Sequence, residues 1–225
     1  MKRTDYILGK FLSEGKTRFV AWCEVEGRRR KCYVPMSTKL SRYFDPVGKE
    51  VELKSCGKRL WIERVKLRRR WVWVDAAKAV DLLEDELARQ GKTVEREKTV
   101  AGYRFDLVCQ DVCFEVKCVL SDQKLVIYPN VESARRDEQL KRLKKLVRQN
   151  VKVVWAFVVY SPTHVCIGLD KGFGKGLLRA MRAGMRGQLW EVCGRRLKRK
   201  PIVFVGGKSD VMRCGNAEWS GHVDV

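Results

Sequence analysis

A mixed α/β chain with a small β-barrel at its N-terminal end is the architecture that three features of this sequence predict. Residues 1–72 hold four or five short β-rich runs with little helical periodicity. Past "RRRWVWVD" the pattern changes to helix, hairpin, helix. The apolar run "VKVVWAFVVY" then reads as a strand buried on both faces.

The barrel elements follow from turn chemistry. "TRFVAWCEVEGRRRKCYVP" is two β-rich runs around Gly27, a hairpin turning at Gly27-Arg28. "DPVG" at 45–48 leads into "KEVELKS", and Gly57 separates that run from "KRLWIERVKL". A closed or partly open barrel of the OB type fits, and an SH3-like barrel would carry a similar pattern. In the second region Asp75 is placed to cap a helix over "AAKAVDLLEDELARQ", with Val80, Leu83 and Leu87 on one stripe and Gly91 as the stop. "RFDLVCQDVCFEVKC" reads as a hairpin turning at Gln110-Asp111. A second helix, capped by Ser133 and running through Gln149, buries Leu140, Leu143 and Val147. "HVCIGL" is expected beside the buried strand, followed by a helix near 174–186 and strands at "LWEVC" and "IVFV".

Charge narrows the partner. The formal net charge is +21, from 48 Lys+Arg against 27 Asp+Glu, which points to a polyanion. DNA is the leading candidate and RNA the second. No apolar run approaches the ~18 residues of a membrane span, and Lys10 breaks the N-terminal apolar stretch too early for a signal peptide, so no membrane is expected and the location expected is cytoplasmic. Nine cysteines cannot all pair internally, and with no C-x-x-C and only His164 and His222, a structural zinc site is not supported. Cys23 and Cys32 would face each other across a hairpin turning at Gly27-Arg28, which leaves one disulfide open.

The hairpin at 104–118 carries the candidate chemistry. Alternation puts Phe105, Leu107, Cys109, Phe114, Val116 and Cys118 on a core face, and Arg104, Asp106, Glu115 and Lys117 on the other. A turn at Gln110-Asp111 sets Asp106 directly opposite Glu115. Like charges there repel, by under ~1 kcal/mol in water but ~3 kcal/mol at an effective dielectric near 20. Two readings stand open: a solvated face on which Arg104 and Lys117 neutralise the acids, or a divalent-metal site. In the second, the carboxylates hold Mg²⁺ or Mn²⁺, Lys117 offsets charge developing on a phosphate, and Glu95 or Glu97 in "VEREK" adds a third acid.

Asp106, then Glu115-Val116-Lys117, resembles the PD-(D/E)xK nuclease-like signature. Together with Glu95, Phe105-Asp106 and "YPNVESARRDEQL" at 128–140, where Pro129, Ser133, Arg135 and Leu140 keep the pattern, it resembles the sugar fermentation stimulation protein A (SfsA) family. "YVPMSTKL" is similar to that family's N-terminal C-P-N-(T/S)-G stretch. The resemblance implies an OB-like domain over 1–72, a restriction-endonuclease-like α/β domain over 73–225, and DNA binding. It implies metal ligands at Asp106, Glu115 and Glu95, with Lys117 completing the catalytic set. Departures are Arg136 and Gln139 where the family has Gly and His, Asp75 and Val80 at family Asn positions, and Met36 for the Asn of the N-terminal motif.

Basic runs extend the expectation. Arg135, Arg136, Lys141, Arg142, Lys144, Lys145 and Arg148 give the second helix a phosphate-binding face. Arg28, Arg29 and Arg30, with Arg68, Arg69 and Arg70, would continue it over the barrel. Trp61, Trp71 and Trp73 near the latter run are read as packing residues or as stacking platforms for single-stranded bases. "KGFGKG" lacks the G-K-[ST] ending of a phosphate loop and is expected to be a turn leading into a helix. The functional expectation is a DNA-binding protein with a nuclease-type metal site. The alternative is a non-catalytic DNA-binding or regulatory protein on an inherited nuclease scaffold.

Overall fold

The computed structural model describes residues 6–123, 125–129, 134–161, 166–169, 171–194, 196–200 and 204–205. Ser133 and His164 lie outside them. The first six strands are β1 (Ile7–Glu14), β2 (Val20–Val25), β3 (Arg28–Tyr33), β4 (Glu50–Cys56), β5 (Arg59–Leu67) and β6 (Arg70–Trp73). Strand β1 pairs antiparallel with both β2 and β4, and bends between them at a register shift between Phe11 and Ser13. Parallel pairing of Cys32 with Leu60 and Tyr33 with Trp61 joins β3 to β5 and closes the ring in the order β1-β2-β3-β5-β4. That is the strand order of an OB-type barrel, and Phe11, Ala21, Cys23, Val51, Leu53, Ile62 and Val65 fill it with no exposed surface.

The β2–β3 turn is one residue earlier than the sequence suggests. Glu26 and Gly27 take φ of 52° and 70°, a two-residue turn with both positions left-handed. Moving the turn centre by one residue shifts the register by two. Cys23 therefore faces Arg30, Cys32 faces Ala21, and both thiols are free and buried. The two thiols remain diagonal neighbours within hydrogen-bonding reach, and no disulfide joins them.

Helix α1 (Lys78–Arg89) follows the barrel. Asp75 does not cap it directly; its Oδ1 accepts the Ala77 N–H at 2.9 Å and organises the turn leading in. Ala79, Leu82, Leu83 and Leu87 are buried and Val80 partly so. Next come β7 (Val94–Arg96), β8 (Thr99–Val100), β9 (Tyr103–Arg104), β10 (Leu107–Cys109), β11 (Val112–Leu120), β12 (Leu125–Tyr128), helix α2 (Ala134–Arg148), β13 (Lys152–Tyr160), β14 (Cys166–Leu169), helix α3 (Lys171–Arg182), β15 (Arg186–Cys193), β16 (Arg196–Lys200) and β17 (Phe204–Val205). The main sheet runs β16-β15-β13-β11-β10-β7, with β11, β13 and β15 parallel at its centre.

Strand β13 is buried on both faces, which is why its apolar run is continuous. Leu107, Phe114, Val116, Val154, Ala156 and Val158 join one apolar cluster with α1 and the barrel interior. On the opposite face Val108, Cys113, Trp155, Phe157 and Val159 pack in a second cluster with residues of α2 and α3. No helix among the described residues is long and apolar enough to cross a membrane.

Three expectations change. Strand β14 is not the neighbour of β13, whose two edges are taken by β11 and β15; it pairs with β12 and β17 in a separate sheet. The expected single strand through Arg104–Cys109 is broken at Phe105 and Asp106, so alternation is interrupted and Phe105 joins the cluster of α2 and α3, while Leu107 joins the other. "KGFGKG" lies inside α3 instead of preceding a helix at Gly174. A Cβ on Gly174 would stand 2.8 Å from the Leu169 Cβ, so its glycine permits close approach of α3 to β14. Gly174→Ala is accordingly expected to destabilise the fold by about 1–3 kcal/mol despite alanine's better helix propensity, a loss read from the midpoint of chemical denaturation.

Candidate functional site

Strands β10 and β11 pair Leu107 with Phe114, Val108 with Cys113 and Cys109 with Val112, around the expected turn at Gln110-Asp111. Asp106 lies just before β10, where the strand is broken, and its carboxylate reaches β11 beside Glu115. Glu115 is 4% exposed, beside Trp155 in the parallel register with β13.

Three side chains from three elements satisfy the Glu115 carboxylate. The Tyr103 hydroxyl donates to Oε2 at 2.9 Å. The Gln139 amide, from α2, donates to Oε1 at 2.7 Å and lies 2.6 Å from the Tyr103 hydroxyl. The Lys117 ammonium pairs with Oε1 and sits 5.0 Å from the centre of the Trp155 ring, a cation–π position.

Asp106 is half-buried, and its Oδ2 accepts the Val116 N–H at 2.7 Å. Burial first, and then the Glu115 charge, push its carboxyl up from 3.8 to about 6, against the opposing pull of the Val116 N–H and Lys117. Burial and the Glu115 charge likewise hold the Tyr103 phenol well above its ordinary value, so it stays a proton donor. The acid pair thus keeps a proton up to about pH 6 and is largely ionised at neutral pH.

Glu95 lies elsewhere. It sits on β7 across from Val108, is largely exposed, and accepts from Lys98 at 2.6 Å. Glu97 pairs with Arg104 at the surface. Among the described residues no three His, Cys, Asp or Glu side chains gather as a metal cluster. The structure therefore brings together Asp106, Glu115 and Lys117 and leaves Glu95 apart.

On α2, Arg135, Lys141, Arg142, Lys145 and Arg148 are exposed, whereas Arg136 and Lys144 are half-buried. Arg136 lies 5.5 Å over the Tyr128 ring, and Lys141 pairs with Glu138 at 2.8 Å. Leu140, Leu143, Leu146 and Val147 pack inward from the same helix. Arg28, Arg29 and Arg30 are exposed on β3; Arg68 and Arg69 form the β5–β6 turn at φ of 46° and 68°, with Arg70 beside them. Trp71 and Trp73 lie under Lys66, Arg64 and Lys78. Tyr103, Gln139 and Trp155 were not legible as site residues. Gln139 carried the one usable signal, standing at the family's His position.

An OB-type barrel leading into an α/β sheet whose central hairpin holds a buried acid pair defines a two-part barrel–α/β protein. Residues 74–192 match the family model described as the sugar fermentation stimulation protein RE domain, and the chain belongs to that SfsA family. A sugar fermentation stimulation protein homolog of Natranaerobius thermophilus is 26% identical over 203 residues, covering 80% of this chain and 84% of the relative. The structure of Pyrococcus furiosus SfsA, described as a complex with Ca²⁺, aligns with a TM-score of 0.72 at 18% identity over 91% of this chain and 98% of that one. At that identity the likeness is one of fold.

The Asp106 carboxyl gives a signed expectation. A folded-state value raised from 3.8 to about 6 contributes stability that is present below 3.8 and lost as pH rises through about 6. In EDTA, Asp106→Asn should therefore be more stable than wild type at pH 8, by about 1–3 kcal/mol, because it removes an ionised neighbour of Glu115 while keeping an acceptor for Val116. The advantage should vanish by pH 4. Denaturant unfolding of both proteins across that range checks it, and a variant weaker than wild type at pH 8 would contradict it.

Proposed function

We propose that this protein binds nucleic acid, DNA foremost, through its basic surface, and that Asp106 and Glu115 hold a divalent cation for phosphodiester hydrolysis in the cytoplasm. One observation carries the reading: two carboxylates meet at the β10–β11 hairpin, Glu115 buried and Asp106 raised to about 6 by burial and the Glu115 charge. Uncompensated, such a pair costs about 3 kcal/mol at an effective dielectric near 20. A dication between them removes that cost.

The donor set fits the group. Carboxylate oxygens are hard ligands suited to Mg²⁺ or Mn²⁺, and no imidazole or thiolate is needed. The Ca²⁺ named for the Pyrococcus protein is a cation of the same hard class. When bound, the cation would supply Lewis acidity toward a phosphodiester oxygen. Lys117, steadied over Trp155, places a positive charge beside the pair and offsets charge on the phosphate. Tyr103 and Gln139 orient Glu115. The exposed cations of α2 and the barrel would take backbone phosphates.

A second reading, a binder without turnover, draws on two observations. Glu115 already accepts from three donors, one of them Gln139 at the family's His position, and Glu95 is turned to Lys98. Cleavage assays on single- and double-stranded DNA and RNA with Mg²⁺, Mn²⁺ or EDTA separate the two. For the enzyme, Glu115→Ala and Lys117→Ala should abolish metal-dependent cleavage and leave DNA affinity within a few fold. For the binder, no substrate is cut with any metal. Mn²⁺ calorimetry, with and without DNA, should give heat for wild type and none for Asp106→Ala; equal negligible heats would remove the metal site from both readings. DNA affinity should fall by ~0.7–0.9 log units per log salt for each phosphate neutralised, with a flatter slope for Arg142→Ala/Lys145→Ala.

A further inference from the structure

Three aromatic side chains lie in a row on the barrel, and no role for them follows from packing the core. Strand alternation sends Ala21, Cys23 and Cys32 inward and leaves Trp22, Lys31 and Tyr33 on the outer surface of β2 and β3. The parallel pairing of Tyr33 with Trp61 carries that surface onto β5. There the rings of Tyr33 and Trp61 are 4.4 Å apart at 49°. On the other side Phe19 stacks on Tyr33 at 5.8 Å and 10°. Phe19 is held in place by its backbone carbonyl, which accepts the Val34 N–H at 2.9 Å, yet its side chain is 37% exposed.

Burying a phenylalanine fully stabilises a protein by roughly 1.5–3 kcal/mol, and Phe19, over a third exposed, forgoes part of that while its backbone stays pinned. Its surroundings are cationic. Arg18 lies 4.4 Å over the Phe19 ring and Arg29 4.5 Å over Trp22, with Lys31 on the same strand face. Of the acids nearby, Glu24 stands opposite Arg29 in the strand register, and Glu63 pairs with Lys54 at 3.5 Å. Rings in series with guanidinium groups beside them suit a chain that offers flat faces and negative charge at alternating intervals. Bases in a duplex cannot offer those faces, because each is stacked on its neighbours; a single strand can.

We propose that the strip Phe19–Tyr33–Trp61, flanked by Arg18, Arg29 and Lys31, is a stacking platform for single-stranded nucleic acid. It rests on the nucleic-acid reading above for the class of partner, and adds strandedness and a second place of contact away from the acid pair. The strip reads base faces, so it tolerates any sequence, and the cations track the backbone.

The test compares wild type, Phe19→Ala and Tyr33→Leu for binding to oligo(dT) and to a duplex with the same number of phosphates, in EDTA. Phe19 is exposed enough for its removal to leave the barrel intact, and Tyr33→Leu keeps bulk while deleting the ring. Each variant should bind oligo(dT) about five- to tenfold more weakly, with duplex affinity within twofold of wild type. Tryptophan fluorescence of wild type should be quenched by oligo(dT). Oligo(rU), run in parallel, shows which sugar the strip accepts, and a selective loss on either strand supports it. Unchanged affinity for both single strands, or equal losses on single strand and duplex, overturns the platform while leaving a nucleic-acid-binding protein. If wild type binds neither form at low salt, the platform and the nucleic-acid reading fall together.

Discussion

A carboxylate that cannot reach water must be satisfied by its neighbours, and Glu115 is the residue around which this α/β sheet is arranged. Its partners come from β9, β11 and α2, so the broken strand at Phe105-Asp106, the hairpin register and the docking of α2 must all be correct together. Lose one donor and a buried acceptor is left to the full cost of desolvation. The central parallel strands make this possible, because β13 places the flat indole of Trp155 beside the acid and supports the Lys117 ammonium.

Local chemistry made part of this legible. The two-residue turn at Gln110-Asp111 was legible and fixed the pairing of Leu107–Cys109 with Val112–Phe114, and the unbroken apolar run of Val153–Tyr160 announced a strand covered on both sides. What stayed hidden was set by tertiary structure. Glu115 reads as a surface acid until α2 covers it. Tyr103 and Gln139 are separated by 36 residues yet touch at 2.6 Å, and no spacing rule connects them. The Cys23 register failed for a smaller reason, since non-glycine Glu26 accepts a left-handed φ that the sequence assigned to the next residue pair. In "KGFGKG" the glycines looked like punctuation, whereas their lack of a side chain serves packing of a helix.

The fold also explains how a strongly basic chain leaves two acids with one cation between them. At the surface, several acids are matched one to one: Glu95 with Lys98, Glu97 with Arg104, Asp111 with Lys152, and Asp81 together with Glu84 around Arg96 and Lys78. Such exposed pairs contribute little to stability individually. At the hairpin, by contrast, two carboxylates share Lys117, and burial together with the remaining deficit raises the Asp106 carboxyl. Screening by salt is weakest where burial is greatest, so this deficit persists in conditions that erase the surface pairs.

Helix α2 ties that deficit to the basic surface. Its inner face supplies Gln139 to Glu115 and anchors Leu140, Leu143 and Val147 in the core, while its outer face presents Arg135, Lys141, Arg142, Lys145 and Arg148. A polyanion bound at the outer face, as proposed, would engage the element that positions one of the three donors to the buried acid. The barrel strip is tied differently: the apolar cluster filling the barrel continues without a break to α1 and to Val116, whose N–H donates to Asp106. The basic helix and the barrel thus both connect to the same two carboxylates, one through a helix face and one through a shared core. A site built this way depends on rigid packing more than on any one side chain beside it.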